Sequence, residues 1–361
     1  MALWQETPLI LSNPLSHKNS PVYLKLETVH PGMSFKSRGI SFFAQRAKQV
    51  HGPSVHLVIA SGGNAALAAA CAARSLGVRC TVYIPDGASQ TTLGLLEREN
   101  AAVVVGGTCY AEALLAAKKV VEAGDNAVLV PAYEDPIVWE GHSSIIAEAS
   151  RQMPCKPSAI FCSVGGGGLL GGIIQGCSRV GWDDVPIVAL ETIGSNCFYH
   201  SMALNRKGPS AALPEGVTAV HDAVHDVQLA HFSSFSSKAS GSLGASQPVA
   251  GVVKMALERE GGVRCVSVPD ELSMQAACKF ADDHKILVEL ACSTTLVAAY
   301  KRELFDRLVP PTAGTDRHSL FIVCGGFKVS LSDMFEYMTG VAACRDSLEV
   351  YCDGQKVDIE K

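Results

Sequence analysis

The sequence predicts an α/β protein with mainly parallel, twisted sheets that helices cover on both faces. Short runs rich in β-branched residues alternate with amphipathic or alanine-rich helical patterns along most of the chain. This alternation is typical of strand–helix–strand units. Glycine clusters also follow several of the predicted strands directly. Such clusters are common where a chain turns from a strand into a covering helix and binds a ligand.

The predicted elements follow one another along the chain. Strands are predicted at residues 22–26, 55–60, 79–84, 102–105, 127–130, 159–163, 187–191, 263–268 and 320–324. Helices are predicted between them, among others at 35–49, 64–76, 112–123, 137–151 and 272–284. The uncharged stretches 57–73 and 157–178 are long enough to suggest membrane spans, but glycines interrupt both. We therefore interpret each of them as a strand, a turn and a helix.

The composition narrows the class of protein. The 361 residues are 48% hydrophobic and 18% charged, and the net charge is −5. The hydrophobic content excludes disorder for most of the chain, and the acidic balance argues against nucleic-acid binding. The 13 cysteines are an odd number and include no C-x-x-C pair. This pattern favours a reducing, cytoplasmic location over a disulfide framework.

The strongest local motif is SVGGGGLLGG at residues 163–172, between a predicted strand and a predicted helix. Glycines let successive backbone N–H groups approach a ligand at a helix N-terminus, so a bound phosphate is expected. Gly166, Gly168 and Gly171 also fit G-x-G-x-x-G, and Glu191 lies where a ribose-binding acid would follow. A nicotinamide-dependent dehydrogenase is therefore one alternative.

Three further segments carry groups suited to a ligand. Residues 61–65 (SGGNA) join a predicted strand to an alanine-rich helix and suit either helix capping or the binding of a small carboxylate. Cys324 ends the last predicted strand before two glycines, where a cysteine is often purely structural. Lys36 begins a predicted helix. Most lysines at such a position are surface residues, but an amine there has a depressed pKa and is a better nucleophile.

Together these segments resemble the fold type II pyridoxal-phosphate enzymes, which have a two-domain, tryptophan synthase β-like fold. The resemblance depends on residues 34–36 (SFK), 61–64 (SGGN), 165–168 (GGGG) and 324–326 (CGG), in this order along the chain. The resemblance implies that pyridoxal 5′-phosphate is the cofactor and that it lies in a cleft between the two domains.

Two more segments narrow the resemblance. Residues 139–142 (WEGH) and 286–289 (ILVE) are typical of the catabolic L-serine dehydratases, the L-serine/L-threonine ammonia-lyases. The resemblance covers about residues 8–331, with an interruption near 220–240. It implies β-elimination of L-serine to pyruvate and ammonia, and of L-threonine to 2-oxobutanoate, by a cytoplasmic homodimer that binds neither nucleic acid nor membrane.

The resemblance also implies a role for each matching residue. Lys36 would form the Schiff base with the cofactor aldehyde and later remove the α-proton, and Phe35 would pack against the pyridine ring. Cys324 would face the pyridine nitrogen without protonating it, which favours elimination. The other implied cofactor contacts are Asn64, on the 3′-hydroxyl, and Gly165, Gly166, Gly167, Gly168 and Leu169, on the phosphate. The implied substrate contacts are Ser61, Gly62, Gly63, Asn64 and Ala65, on the carboxylate, with Tyr133 nearby.

A monovalent cation, K⁺, is the second ligand that the resemblance implies. Its ligands would be the carboxylate of Glu191 and the carbonyl groups of Gly165, Ser195, Leu243 and Ala245. Hard oxygen ligands of this kind suit such a cation.

Several positions depart from the pattern of this family. Phe327 and Lys328 stand where small polar residues are usual, and Tyr133 stands where phenylalanine is common, so its hydroxyl is expected to alter substrate choice. Gly62 stands where related racemases carry the serine that returns a proton to the opposite face, so racemisation is expected to be minor. A serine racemase-like enzyme, another fold type II lyase and a binding protein that has kept the fold are the remaining alternatives.

The domain organisation also follows from the resemblance. Residues 33–135 are expected to form a small domain, and residues 1–32 with 136–361 a large cofactor-binding domain. The irregular pattern at 220–245 predicts a loop insertion, and residues 344–361 are predicted to be a polar tail.

Overall fold

The computed structural model describes residues 2–124, 126–206, 212–311, 314–344 and 348–359. The strands are Leu9–Leu11 (β1), Val22–Leu26 (β2), His56–Ala60 (β3), Arg79–Ile84 (β4), Ala102–Val105 (β5), Ala127–Leu129 (β6), Ala159–Ser163 (β7), Ile187–Thr192 (β8), Val217–Asp222 (β9), Val227–Phe232 (β10), Val263–Val268 (β11), Ser319–Val323 (β12), Leu348–Cys352 (β13) and Gln355–Ile359 (β14). The helices are Lys36–His51 (α1), Asn64–Leu76 (α2), Gln90–Arg98 (α3), Tyr110–Glu122 (α4), Pro136–Gln152 (α5), Gly168–Val180 (α6), Cys197–Asn205 (α7), Ser240–Leu243 (α8), Ala250–Glu258 (α9), Asp270–His284 (α10), Leu290–Tyr300 (α11), Arg302–Leu308 (α12) and Leu331–Ala343 (α13).

The larger sheet has the strand order β1-β2-β12-β7-β8-β11-β13-β14. Its central strands β2, β12, β7, β8 and β11 run parallel, and antiparallel pairs occur at both edges. Strands β7, β8 and β12 are buried along their whole length, because helices leave them no face toward solvent. The rings of Phe161 and Phe321 stack at 4.1 Å in the core of this sheet.

The smaller sheet has the order β5-β4-β3-β6, and all of its pairs are parallel. It has a hydrophobic core of its own, to which Ile40 of α1, Leu57 and Ile59 of β3 and the alanines of α2 contribute. Helix α2 is followed by Gly77, which has a left-handed φ of 65°, a conformation that glycine adopts without steric cost. Helix α1 packs against both α2 and α5 and so connects the two sheets.

The predicted α/β class with mainly parallel sheets is confirmed. The predicted strands at 22–26, 79–84, 102–105, 159–163 and 263–268 match the observed bounds. The uncharged stretches 57–73 and 157–178 are strand–turn–helix units, β3 with α2 and β7 with α6. None of the helices in the described ranges combines the length and the apolar character needed to span a membrane.

The irregular loop predicted at 220–245 is wrong, because this region contains regular structure. That the segment is an insertion stays a prediction. Strands β9 and β10 form an antiparallel hairpin, in which Val217 pairs with Phe232 at one end and Asp222 pairs with Val227 at the other. Helix α8 follows the hairpin. The sequence conceals the hairpin because most of β9 is exposed, so no alternation of apolar and polar residues marks it.

The prediction of a polar tail at 344–361 is also wrong for its described part. Strands β13 and β14 form a hairpin that extends the larger sheet through the pair Val266–Cys352. Asp353 and Gly354 turn the chain with φ of 46° and 85°, and Val350 and Ile359 are buried. An Asp-Gly pair between alternating segments is a strong hairpin signal, and the polar composition of the segment obscured it.

Candidate active site

A cavity of about 390 Å³ lies where loops of the two sheets meet. Its walls come from the carboxyl ends of β3, β7 and β12, the start of α1 and residues 241–246. Ligands of parallel α/β sheets bind at this end of the strands. The volume is near the lower end of the range for small-molecule sites, about 300–1,000 Å³, so the cavity suits a small ligand.

The start of α1 is fixed against the end of β12. The backbone N–H of Phe35 donates to the carbonyl oxygen of Cys324 at 2.9 Å. A Cβ atom on Gly325, whose φ is 78°, would lie 2.4 Å from the carbonyl oxygen of Met33, so this close approach requires glycine. The pairing places Lys36 and Cys324 in the same cavity.

The amine of Lys36 is held inside the cavity and is partly desolvated. Its Nζ donates to the carbonyl oxygen of Ala132 and lies 5.3 Å from the ring centre of Phe35 and 5.7 Å from that of Tyr133. Desolvation lowers the pKa of Lys36 to about 8, although the charge of Glu134 acts in the opposite direction. A larger fraction of this amine is therefore neutral and nucleophilic at neutral pH than for an exposed lysine.

The tetraglycine loop lies between β7 and the N-terminus of α6 and is tightly enclosed on its outer side. A Cβ on Gly166 would lie 2.3 Å from the ring of Tyr133, and one on Gly168 would lie 2.9 Å from the Tyr133 carbonyl oxygen. Gly167, the residue that precedes α6, has a φ of 99°. Glycine is thus needed for the loop to pack here, and the α6 N-terminus offers N–H groups to an anion in the cavity.

Residues 61–65 form the opposite wall at the start of α2. The backbone N–H of Gly63 donates to Ser61 Oγ at 3.2 Å. No atom lies within 4 Å of a Cβ built on Gly62, so this position faces open space. Asn64 Nδ2 lies 3.0 and 3.2 Å from the two carboxylate oxygens of Glu289, and Asn64 Oδ1 accepts from the N–H of Phe327 at 3.2 Å.

Glu289 lines the cavity, and the sequence had not identified it as a site residue. Its carboxylate is buried and also accepts from Ser242 Oγ at 2.6 Å and from the N–H of Lys328 at 2.8 Å. An acidic residue at the end of the apolar segment ILVE, directly before the buried helix α11, was the available signal. Its partners are distant in sequence, so nothing local revealed them. Tyr110, Phe235 and Ser242 also line the cavity without having been predicted.

The aromatic and thiol groups that the resemblance singled out lie on other walls of the cavity. The ring of Phe35 packs against that of His142 at 4.9 Å. Cys324 is buried, with its Sγ 3.6 Å from Ser163 Oγ. The carbonyl oxygen of Tyr133 accepts a hydrogen bond from Trp139 Nε1 at 2.7 Å. Burial raises the pKa of the Tyr133 phenol, and the charge of Glu134 raises it further.

The structure brings the predicted cofactor and substrate residues together. All of them line the cavity: Phe35, Lys36, Ser61, Gly62, Gly63, Asn64, Ala65, Tyr133, Gly165, Gly166, Gly167, Gly168, Leu169 and Cys324. Leu243 and Ala245, from the predicted cation set, also lie in its walls.

Glu191 and Ser195 lie behind the cavity wall. The carboxylate of Glu191 accepts from the backbone N–H groups of Phe198 at 3.0 Å and Tyr199 at 2.6 Å, at the N-terminus of α7. Burial raises its pKa, against the effect of these two hydrogen bonds. A carboxylate that does not line the cavity and is bound by the N-terminus of α7 is not placed to bind the ribose of a dinucleotide, which weakens the dehydrogenase alternative.

Known proteins resemble this chain in both sequence and fold. The family model described as pyridoxal-phosphate dependent enzyme matches residues 2–325. The L-serine dehydratase/L-threonine deaminase of Homo sapiens is 37% identical over 91% of this chain and 93% of its own length. The crystal structure of a fungal L-serine ammonia-lyase from Rhizomucor miehei has a TM-score of 0.81 and 29% identity, and the match covers 94% of this chain and 99% of that one. Maize serine racemase has a TM-score of 0.73 at 22% identity, covering 93% and 92% of the two chains, a likeness of fold alone.

Proposed function

The chain belongs to the pyridoxal-phosphate dependent enzymes, and on that premise we propose that it is an L-serine/L-threonine ammonia-lyase. It would convert L-serine to pyruvate and ammonia, and L-threonine to 2-oxobutanoate and ammonia. The observation that carries the proposal is the position of Lys36. Its amine, with a pKa lowered to about 8, shares one small cavity with the tetraglycine loop and Cys324.

The cavity fits pyridoxal phosphate. The N–H groups at the start of α6 suit its phosphate, and Lys36 supplies a nucleophilic amine for its aldehyde. Cys324 and Ser163 supply a thiol and a hydroxyl, neither of them a carboxylate, for the wall that would face the pyridine nitrogen. When bound, the cofactor supplies an electron sink for the charge that develops at the substrate α-carbon.

The chain's own residues would orient the substrate and move one proton. Backbone N–H groups of residues 61–65, at the start of α2, would hold the carboxylate of the amino acid. Lys36 Nζ would take the α-proton, because it is a base that desolvation keeps partly neutral. Because the neutral thiol of Cys324 provides no carboxylate to keep the pyridine nitrogen protonated, negative charge at the α-carbon would be less stabilised. Loss of the β-hydroxyl as water, together with the α-proton, would therefore be favoured over racemisation. The open space at Gly62, without any hydroxyl, supports the same outcome.

We propose that K⁺ binds beside the cavity, between Glu191 and the carbonyl groups of Gly165, Ser195, Leu243 and Ala245. Support comes from the buried carboxylate of Glu191, which has no cationic partner among the described residues. Ser195 Oγ is likewise buried and has no hydrogen-bond partner in the ranges that the structure covers. Activity is expected to be higher in KCl than in choline chloride at equal ionic strength, and Glu191→Gln should remove the difference. Equal activity in both salts would contradict the cation site.

The remaining proposals concern the organisation of the enzyme. Residues 33–135 would form a small domain that closes over the substrate, because the smaller sheet and nearly all of its core lie within them. A homodimer is proposed from the family resemblance, and sedimentation or light scattering tests it. A reducing, cytoplasmic location is proposed because Cys109 and Cys155 are exposed free thiols.

Two measurements test the function. The purified protein should show a visible absorption band that borohydride abolishes, and it should release pyruvate from L-serine. Lys36→Ala should lose both the reducible band and turnover. Undiminished turnover in Lys36→Ala would refute the proposal. D-serine formation as fast as pyruvate formation would instead favour a racemase.

A further inference from the structure

Lys328 carries a positive charge at the mouth of the cavity. It lies just beyond the end of β12 and lines the cavity together with residues 61–65. Its Nζ and Cε each lie 3.1 Å from the position that a Cβ on Gly63 would occupy. The ammonium therefore rests directly on the loop to which the substrate carboxylate is assigned.

The charge of Lys328 has no acidic counter-ion in the described part of the chain. Its Nζ donates to one neutral group, the carbonyl oxygen of Gly241, at 3.2 Å. The nearby carboxylate of Glu289 accepts from the backbone N–H of Lys328 and from Asn64 and Ser242. An ammonium held beside an anion-binding loop by a single carbonyl is available to an incoming anion.

We infer that Lys328 binds the α-carboxylate of the amino-acid substrate, in addition to the backbone N–H groups of residues 61–65. The inference rests on the proposed function, because that function supplies an amino acid as the ligand. On binding, Nζ would exchange the carbonyl of Gly241 for a carboxylate oxygen. Because Lys328 follows β12 and Gly63 precedes α2, the same contact would join the two sheets across the substrate.

The experiment compares Lys328→Gln, which removes the charge at nearly constant size, with Lys328→Arg, which keeps it. Lys118→Gln, an exposed lysine of α4, is the matched control. Lys328→Gln should raise the KM for L-serine about tenfold with little change in kcat, because a charge-assisted hydrogen bond is lost from binding. Lys328→Arg should retain most of the affinity, and Lys118→Gln should behave as the wild type. With L-serinamide, which lacks the carboxylate, wild type and Lys328→Gln should have equal KM values.

Binding of L-alanine separates this inference from the proposed function, since L-alanine has a carboxylate but no β-hydroxyl to eliminate. Its dissociation constant follows from the change in cofactor absorption and should also rise about tenfold in Lys328→Gln. If the wild type binds L-alanine in a Lys328-dependent way but releases no pyruvate from L-serine, the proposed function fails and the inference stands. Unchanged KM and dissociation constant in Lys328→Gln would overturn the inference. An equal rise in KM with L-serinamide would also overturn it. A weakening of binding confined to amino acids with a second carboxylate, such as L-aspartate, would overturn it as well.

Discussion

The side-chain amide of Asn64 is bound by the carboxylate of Glu289, with Nδ2 3.0 and 3.2 Å from the two oxygens. Asn64 begins α2 beside the smaller sheet, and Glu289 directly precedes α11, which packs against the larger sheet. The contact therefore joins the two halves of the active site. It also orients the amide that the resemblance assigns to the cofactor 3′-hydroxyl.

Substitution of Glu289 by Gln should reduce kcat/KM for L-serine about tenfold to a hundredfold. The new amide would place an N–H group against the donors of Asn64, Ser242 or Lys328, which now face a carboxylate. Losing a hydrogen bond to a charged group costs about 1.5–3 kcal/mol. Steady-state kinetics and a cofactor titration measure the effect. Glu303→Gln, at an exposed site on α12, is the control. Equal kinetics in the two variants would show that the contact with Asn64 does not position the site.

Covalent uptake of pyridoxal phosphate by the cofactor-free protein should become faster with pH and level off above a midpoint near 8. Because desolvation lowers the pKa of Lys36 from 10.5 to about 8, the neutral, reactive amine predominates above that pH. The rate is followed as the growth of the borohydride-reducible band between about pH 6.5 and 9.5. A small lysine derivative, with an ordinary pKa, should show no plateau in this range. A protein rate that still rises tenfold per pH unit at pH 9.5 would contradict the lowered pKa.

Gly62→Ser should increase D-serine formation and leave the fold intact. Open space surrounds a Cβ at this position, so the hydroxyl would project into the cavity, at the position that the resemblance assigns to the racemase serine. Chiral chromatography of the products measures D-serine beside pyruvate. Gly94→Ser, on α3 with equally open surroundings, is the matched control. No more D-serine from Gly62→Ser than from the control would show that another group returns the proton.

Tyr133→Phe should shift the preference toward L-threonine by less than about tenfold. The ring packing against Gly166 would remain, while the loss of the hydroxyl makes the wall more apolar toward the additional methyl group. The ratio of kcat/KM for the two substrates measures the shift. The melting temperature should not change, and a large drop in it would assign the phenol hydroxyl to stability instead.

Arg38→Met should lower the free energy of unfolding by about 3–5 kcal/mol, because breaking a buried ion pair leaves charges uncompensated. Arg38 is fully buried, with Nε 2.6 Å from Glu27 and Nη1 2.6 Å from Glu148. Denaturant unfolding measures the change. Arg74→Gln removes the exposed pair with Glu99 and should cost less than about 1 kcal/mol. If Arg38→Met does not fold, Arg38→Lys is measured in its place. It retains the charge, so its free energy of unfolding should lie between those expected for the wild type and Arg38→Met.

The same network predicts how stability changes in acid. Burial alone would raise the pKa of Glu27, but the charge of Arg38 and the hydrogen bonds outweigh it and lower the pKa from 4.5 to about 2. The stabilisation is therefore present above about pH 4.5 and is lost as the pH falls toward 2. In Arg38→Met this loss between pH 4.5 and 2 should be smaller. An identical acid profile in the variant would contradict the assignment.

The elements that the sequence predicted well are those whose signal is local. Strands such as β7 and β12 are continuous apolar runs, because both of their faces are buried. The hairpin of β9 and β10 escaped prediction because exposure removed the apolar alternation from β9. Strands β13 and β14 escaped it because polar residues line their exposed face, although Asp353 and Gly354 marked the turn.

The candidate site likewise contains some residues that the local sequence identifies and others that it does not. The tetraglycine loop and the segment around Lys36 were recognisable because each carries its pattern within a few consecutive residues. Glu289 was not recognisable as a site residue, because its hydrogen-bond partners Asn64 and Ser242 lie far from it in the chain.

The sequence by itself determined the α/β class, the phosphate-binding loop and the resemblance that singles out Lys36. These depend on local backbone preference and on the order of short motifs. Only the tertiary structure decided that Lys36 and Cys324 share a cavity, that Glu191 accepts hydrogen bonds from α7 and that Lys328 lies on Gly63. The reason is physical: these arrangements are set by strand pairing and burial, which bring distant segments together and leave no trace in local sequence.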